Sequence, residues 1–365
     1  MGRLGVSGRP HLLFISGTSL SGKNGSSHVE RSLAAALAPR FDLTLLSRDA
    51  APLPDQPFDH QLYQRPSSRE LGVLLRAGRV GRRIAEIDAQ RPIHLVHAFG
   101  FFPLALYAAR CRCPLVLTHH NMELWPRAWI ARRRTRAALG QAAAIVCLNA
   151  LQKQRIAAEA GVPAERLVVI ENGVDEPVEE DPGLGLPPRY WLFAGRFEAA
   201  KGLPLLLDAL EALPAAERPT LVLAGEERGG AELTDRARAL GAVVTGWLSR
   251  EALSFVLRRA SGLLFPSFSE ASPLLLLEAQ AAGVPVVAHA LPELDEALAD
   301  AEGALAELIA PGDQTAWTRA LADPRDLRQT YAARVARAAR RAQGLRWPAV
   351  AERYAAVYQK ALGLA

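Results

Sequence analysis

The sequence predicts two α/β domains in tandem, each a doubly wound parallel sheet with helices on both faces. Three observations carry that expectation. Short, continuous apolar runs recur between helical patterns, and strands that are apolar throughout belong to a sheet covered on both faces. The alternation occurs twice, interrupted by an acidic segment from Glu176 to Pro188 that holds Pro177, Pro182, Pro187 and Pro188, which is the composition of a linker. A chain of 365 residues, half of them hydrophobic, is ample for two cores.

In the first half, Leu12–Ser16 reads as a strand, followed by a Gly/Ser loop through Ser27 and a helical pattern over His28–Leu37. Strand-like runs recur at Leu43–Leu46, Ile93–Ala98, Leu115–Thr118 and Ala144–Leu148, and a last one from Leu167 ends in the Asn172-Gly173 turn. The expected first domain is therefore 1–175. The second, 176–344, runs through Tyr190–Ala194, Thr220–Ala224, Val243–Thr245, Gly262–Phe265 and Val284–Ala288. Ser249 is placed to cap Arg250–Ala260, Asp313 to open a helix at Gln314, and Ser272 to cap a helix with Pro273 at its first position and a stop at Gly283 and Pro285. Beyond residue 313 the pattern is only helical, and Trp347-Pro348 opens a final helix over Ala349–Leu362.

Charge is uneven. Residues 1–175 hold 23 Lys and Arg against 13 Asp and Glu, and the remainder 20 against 25, for a net +5. A basic half suits an anionic partner surface, such as acidic headgroups or phosphorylated carbohydrate. Scattered aromatics, with six Tyr in all, supply no base-stacking platform, and no nucleic-acid-binding motif is present. Cys111, Cys113 and Cys147 are too few and wrongly spaced for a zinc site or a disulfide framework. The expected compartment is a reducing cytoplasm. The apolar run Leu12–Ile15 is too short for a signal-peptide core, and no stretch reaches the length of a membrane span. Peripheral contact with the inner face of an anionic membrane is the expectation for the basic half. Its candidate surface is Arg127 and Arg132–Arg136, interleaved with Trp125, Trp129 and Ile130, against the alternative of a solvated helix face.

Residues that could carry chemistry gather at expected strand ends. Glu270 precedes a helix start and Glu278 follows eight positions later inside that helix. The helix would offer unpaired N–H groups of Leu274 and Leu275 to an anion, although a solvent-facing Glu pair fits the same spacing. Gly195-Arg196 and Lys201-Gly202 follow the first strand of the second domain, at the carboxyl edge where open α/β sheets bind ligands. Two cations five residues apart on such a loop can converge on one diphosphate, or remain surface charges. In the first domain His97 and His120 fall at strand ends, where a lone His is usually structural, and the tandem His119-His120 leaves the position ambiguous by one residue. Gly17-Thr-Ser-Leu-Ser-Gly22-Lys23 fits a Walker A loop, except that Asn24 stands where Ser or Thr would bind magnesium.

Several of these stretches resemble one family. Glu270-Ala-Ser-Pro-Leu-Leu-Leu-Leu-Glu278-Ala-Gln-Ala-Ala-Gly283-Val-Pro285 resembles the Glu-x7-Glu signature of the retaining GT-B glycosyltransferases of glycosyltransferase family 4, the glycosyl transferases group 1 type. Gly195-Arg196-x4-Lys201-Gly202 resembles that family's diphosphate clamp, Ala224-Gly225-Glu226 its next strand end, and Thr245-Gly246-Trp247-Leu248 the segment whose backbone touches the nucleobase. Gly25-Ser26-Ser-His28-Val resembles its glycine-rich first loop with the second glycine lost, and Val96-His97 and Thr118-His-His120 resemble two further segments, the second with a His near the transferred sugar. Ala271 stands where the family often has Gly, which stiffens the loop.

The resemblance implies a GT-B fold, two Rossmann-like domains facing a cleft. It also implies a C-terminal helix, 345–365, that returns to the N-terminal domain, where Tyr354 and Tyr358 would pack. It implies an acceptor-binding first domain and a nucleotide-sugar-binding second one. Glu270 would lie near the sugar and its phosphates, Glu278 on the ribose, Arg196, Lys201 and the amides of Leu274 and Leu275 on the diphosphate, with Gly195, Trp247 and Leu248 lining the donor. Gly25, Ser26 and His97 would face the acceptor or donor sugar, and His120 would act as a hydrogen-bonding group near it. The expected reaction is metal-independent, retaining transfer from a nucleotide-diphosphate sugar to the hydroxyl of a carbohydrate, lipid-linked or small-molecule acceptor in cell-envelope polysaccharide synthesis, with no separate cofactor. A nucleotide-sugar epimerase, a non-catalytic nucleotide-sugar-binding paralogue and, more remotely, a P-loop kinase or NTPase are the alternatives.

Overall fold

The computed structural model describes residues 8–22, 25–49, 51–63, 72–100, 112–120, 129–227, 230–323 and 327–364. The chain divides into two compact units, Met1–Gly173 with Trp347–Ala365, and Val174–Arg346.

The first unit is built on a seven-stranded parallel sheet in the order β3-β2-β1-β4-β5-β6-β7. Its strands are β1 (His11–Ser16), β2 (Asp42–Ser47), β3 (Asp59–Leu62), β4 (Leu95–Phe99), β5 (Leu115–Thr118), β6 (Ala144–Cys147) and β7 (Leu167–Val169). Helices α1 (Gly25–Leu37), α2 (Gly72–Gln90), α3 (Trp129–Gln141) and α4 (Ala150–Ala160) connect them. Every residue of β1, β2, β4, β5 and β6 is buried, which is why these strands read as unbroken apolar runs. Strand β3, Asp-His-Gln-Leu, was not expected: it lies at the sheet edge with only His60 buried, so no apolar run marks it. Helix α1 starts at Gly25, three residues before the expected His28. Ser27, already helical, is buried and donates from its hydroxyl to the Ser19 carbonyl at 2.6 Å.

The second unit has a six-stranded parallel sheet in the order β10-β9-β8-β11-β12-β15. These are β8 (Trp191–Ala194), β9 (Leu221–Ala224), β10 (Val243–Gly246), β11 (Gly262–Phe265), β12 (Val286–His289) and β15 (Glu307–Ile309), with β13 (Ala299–Asp300) and β14 (Gly303–Ala304) forming a separate antiparallel pair. Its helices are α5 (Leu203–Glu211), α6 (Glu232–Ala239), α7 (Arg250–Arg259), α8 (Leu274–Ala281), α9 (Asp295–Leu298), α10 (Gln314–Ala322), α11 (Leu327–Thr330) and α12 (Ala332–Gln343). Ser249 accepts from the Ala252 amide and Asp313 from the Ala316 amide, the two caps the sequence predicts. Helix α8 differs by one residue. Pro273, with φ −75° and ψ 114°, occupies the cap position itself and its carbonyl accepts from the Leu276 amide at 3.2 Å, so the helix starts at Leu274 without the expected Ser272 cap. The proline-rich segment is held to the surface of this unit: the Val178 amide donates to Ser254 at 2.8 Å and Arg258 pairs with Glu179.

The last helix, α13 (Trp347–Leu362), belongs to the first unit. Tyr354 and Tyr358 are buried there, the hydroxyl of Tyr358 2.7 Å from His97 Nδ1 and that of Tyr354 3.3 Å from Thr118 Oγ1. Gly173 lies flat against Trp347, so close that a Cβ would sit 2.4 Å from the indole. The glycine of the Asn-Gly pair is thus required by close approach and not by a left-handed backbone, since its φ is not positive.

Candidate active site

In the second unit β8 lies between β9, which follows it in the chain, and β11, which does not. Connections leave in opposite directions at this pair, and the carboxyl edge of such a switch point is where open parallel sheets bind ligands. Because the strands are parallel, the segments after β8, β9, β10 and β11 all emerge at that edge. They are stitched to one another. The Gly195 amide donates to Ala224 O (2.9 Å), the Gly225 amide to Gly246 O (2.8 Å), the Phe197 amide to Glu226 O (3.0 Å) and the Phe268 amide to Ala200 O (3.0 Å). Two glycines make this possible. A Cβ on Gly225 (φ 149°) would sit 1.8 Å from Gly195 O, and one on Gly202 (φ 74°) 2.0 Å from Pro266 O.

The stitching brings charged side chains together. Lys201 donates to Glu270 Oε1 at 2.6 Å, a contact across the β8 and β11 loops. Both side chains are mostly buried, 25% and 12% exposed. Arg196 pairs with Glu198 at 2.9 Å while remaining over half exposed. The Glu270 amide reaches Glu293 Oε1 at 3.4 Å. Leu274 and Leu275 form the first turn of α8, so their amides have no carbonyl of that helix to bond, and no other acceptor reaches them among the described residues. Further along α8, Glu278 is bound by Arg250, the first residue of α7, which also lies 3.6 Å from Asp175. Trp247, 42% exposed, and half-buried Leu248 follow β10.

This edge therefore offers two cations and unpaired amides beside carboxylates, a set that can hold an anion together with hydroxyl groups. Family models match in series. Glycosyltransferase Family 4 matches residues 23–176 and Glycosyl transferases group 1 matches residues 176–341. The chain belongs to the GT-B glycosyltransferases.

Relatives of this glycosyltransferase include a D-inositol 3-phosphate glycosyltransferase of Streptomyces coelicolor, 34% identical over 49% of this chain and 42% of that protein. A glycogen synthase of Mycobacterium tuberculosis is 29% identical over 78% of this chain and 73% of that one. The chain thus spans less than half of the first relative and about three quarters of the second. In fold it is similar to the crystal structure of Anabaena HepE in complex with UDP, with a TM-score of 0.74 at 19% identity over 96% of this chain and 100% of that one.

The first unit of the glycosyltransferase places the remaining candidates differently. Gly25 and Ser26 open α1. The Ser/Gly loop before them is held by a residue the sequence did not single out, Asp49. It accepts from the amides of Leu20 (2.8 Å) and Ser21 (2.9 Å) and from the hydroxyls of Ser19, Ser21 and Ser47. Burial alone would raise this carboxyl's pKa, but those hydrogen bonds outweigh it and hold the group well below the usual range. Two amides of the stretch that fits a Walker A loop, those of Leu20 and Ser21, are spent on Asp49, while Lys23 and Asn24 lie outside the described residues. So do Cys111, Trp125 and Arg127, and the side chains of Trp129, Ile130 and Arg134.

His97 is fully buried, its Nε2 2.8 Å from Thr118 Oγ1 and its Nδ1 2.7 Å from Tyr358 Oη. Its Nδ1 meets α13 and its Nε2 meets β5, and burial drives its pKa well below the ordinary value. His119 is buried and its carbonyl accepts from Gln152. His120 is only half-buried, stacked on Phe99 at 5.8 Å, with no partner for Nε2 among the described residues. Burial and then the neighbouring His119 lower its pKa to about 4, so the ring is neutral near pH 7. Arg250 escaped notice for want of any local signal: it reads as an ordinary first helical residue.

Proposed function

We propose that this glycosyltransferase moves a sugar from a nucleotide-diphosphate sugar to an acceptor hydroxyl, with retention at the anomeric carbon and without a metal ion. One observation carries the reading: Lys201 set against Glu270, beside Arg196 and the open amides of Leu274 and Leu275, at the switch point of one sheet. As the anomeric carbon parts from the donor phosphate oxygen, the sugar gains oxocarbenium character and the diphosphate gains negative charge. Lys201, Arg196 and the α8 amides stabilise that leaving group more than the intact donor. Glu270, held by Lys201, orients the sugar or its phosphates, and Glu278 takes the ribose. Gly195 lets the loop approach the donor, and Trp247 and Leu248 line its nucleobase end.

The acceptor hydroxyl attacks on the face the diphosphate leaves. Its proton passes to a leaving phosphate oxygen, so no covalent intermediate on the chain is needed. The first unit takes the acceptor, with Gly25 and Ser26 at its loop and neutral His120 as a hydrogen-bonding group for the sugar. His97 serves the site indirectly by fixing α13. Relatives named D-inositol 3-phosphate glycosyltransferase and glycogen synthase, and a neighbour solved with UDP, support a carbohydrate or polyol acceptor and a nucleotide donor. Exposed Arg132, Arg133 and Arg136 on α3 supply charge for peripheral docking on an anionic membrane.

Lys201→Ala should slow transfer by about a hundredfold, roughly 3 kcal/mol of leaving-group stabilisation. Turnover within a few fold of the parent enzyme would rule out the clamp. Activity should also survive EDTA. Loss that magnesium restores would replace the metal-free mechanism with one in which a cation carries the diphosphate charge.

A further inference from the structure

Arg250 has no local reason to be where it is. It is the first residue of α7, next to the Ser249 cap, and a cation in the first turn opposes the helix dipole. Its guanidinium is turned instead toward carboxylates. It bonds Glu278 Oε1 and lies 3.6 Å from Asp175, with its own side chain 31% exposed and that of Glu278 16%. Among the described residues no donor reaches the other oxygen of Glu278, Oε2. One carboxylate oxygen is thereby anchored and the other left for a ligand. A carboxylate on a helix has several rotamers, and fixing one before the ligand arrives removes part of the ordering cost of binding.

We propose that Arg250 is the positioning residue for Glu278, and that it sets the enzyme's preference for a ribose-bearing nucleotide over one lacking the 2′ and 3′ hydroxyls. The inference rests on the donor-site reading above. Ribose hydroxyls donate to Oε2 only if Oε1 is held, because a freely rotating carboxylate also finds water and the neighbouring amides.

The test titrates the full chain with UDP, GDP and ADP and with the 2′,3′-dideoxy form of each, read by calorimetry and by the shift in melting temperature. The parent protein should bind one ribonucleotide more tightly than its dideoxy form, on the order of tenfold for a hydrogen bond to a charged group. In Arg250→Ala that ratio should fall to about twofold or less by weakening of the ribonucleotide alone, and Arg250→Lys should recover part of it. Unchanged affinity for the dideoxy form shows that the variant is folded; should the alanine variant not fold, Arg250→Gln takes its place. In a Glu278→Gln background the Arg250 substitution should have no further effect, as expected of a group that acts only through Glu278. A parental ratio retained in Arg250→Ala, tighter ribonucleotide binding in that variant, or equal binding of both forms by the parent overturns the proposal and leaves the donor site standing. Failure of the parent to bind any of the nucleotides overturns both.

Discussion

Gly225 stands where a methyl group cannot go. With φ at 149° and Gly195 O at 1.8 Å from a built Cβ, Gly225→Ala must push back the loop that carries Arg196 and Lys201 or twist the end of β9. Backbone strain of this kind costs on the order of 1–3 kcal/mol. The substitution should lower the midpoint of urea unfolding by that amount and weaken nucleotide binding as well; a variant with parental values of both would show that the contact relaxes freely. At this scale the sequence named candidate residues and was silent about their partners. Gly195, Arg196, Lys201, Glu270 and Glu278 could be picked out because strand ends and helix starts are visible in apolar runs and proline. That Lys201 bonds Glu270 while Arg250 bonds Glu278 joins residues 69 and 28 positions apart, and no local pattern encodes such a pairing. Asp49 is a second case, a polar residue after a strand that proves to anchor an entire loop.

Helix α13 shows how one element depends on a distant partner. Its tyrosines at 354 and 358 are four apart and so share a face, and that face is buried against Phe14, Phe41 and His97. Tyr358→Phe keeps the ring but leaves His97 Nδ1 buried without its partner at 2.7 Å. Loss of one member of a buried pair costs about 1–3 kcal/mol. The expected result is a lower melting temperature for the first unit, with nucleotide binding unchanged; no change in melting would mean that His97 finds a substitute. The elements legible in advance were those with a strong apolar period or a clear cap. Strand β3 and strand β15, Glu-Leu-Ile, carry too few apolar residues to register. They form because a neighbouring strand offers its edge. The start of α8 was misplaced for a related reason: a proline can either occupy the first helical turn or precede it, and the hydrogen bond from Leu276 to Pro273 decides which.

Across the molecule, pH should act through carboxyl and imidazole groups buried in the first unit. Glu30 on α1 is almost fully buried, and burial raises its pKa to about 8, only partly offset by a hydrogen bond from Ser16 and by Arg48. The folded state therefore binds a proton that the unfolded chain, with an ordinary value of 4.5, releases at lower pH. Stability must then fall as pH rises through that interval. His120 has the opposite sign: its pKa is about 4 when folded against 6.5, so its contribution is lost as pH falls below 6.5. Between roughly pH 6.5 and 8 only the Glu30 slope remains of these two. Glu30→Gln should flatten stability there, measured by urea unfolding at stepped pH, and an unchanged slope would mean that Glu30 is ionised in the folded chain.

By itself the sequence determined the number of domains, their α/β class, most of the strand ends, and through the Glu-x7-Glu and Gly-Arg-x4-Lys-Gly runs the family. Each of these is written in short windows, because strand burial, helix capping and loop glycines leave marks within a few residues. Tertiary structure alone decided that Asp49 holds the serine loop, that His97 belongs to the packing of α13, and that Arg250 reaches Glu278. Those outcomes depend on the direction and burial of side chains brought together from distant parts of the chain, and only folding sets that distance.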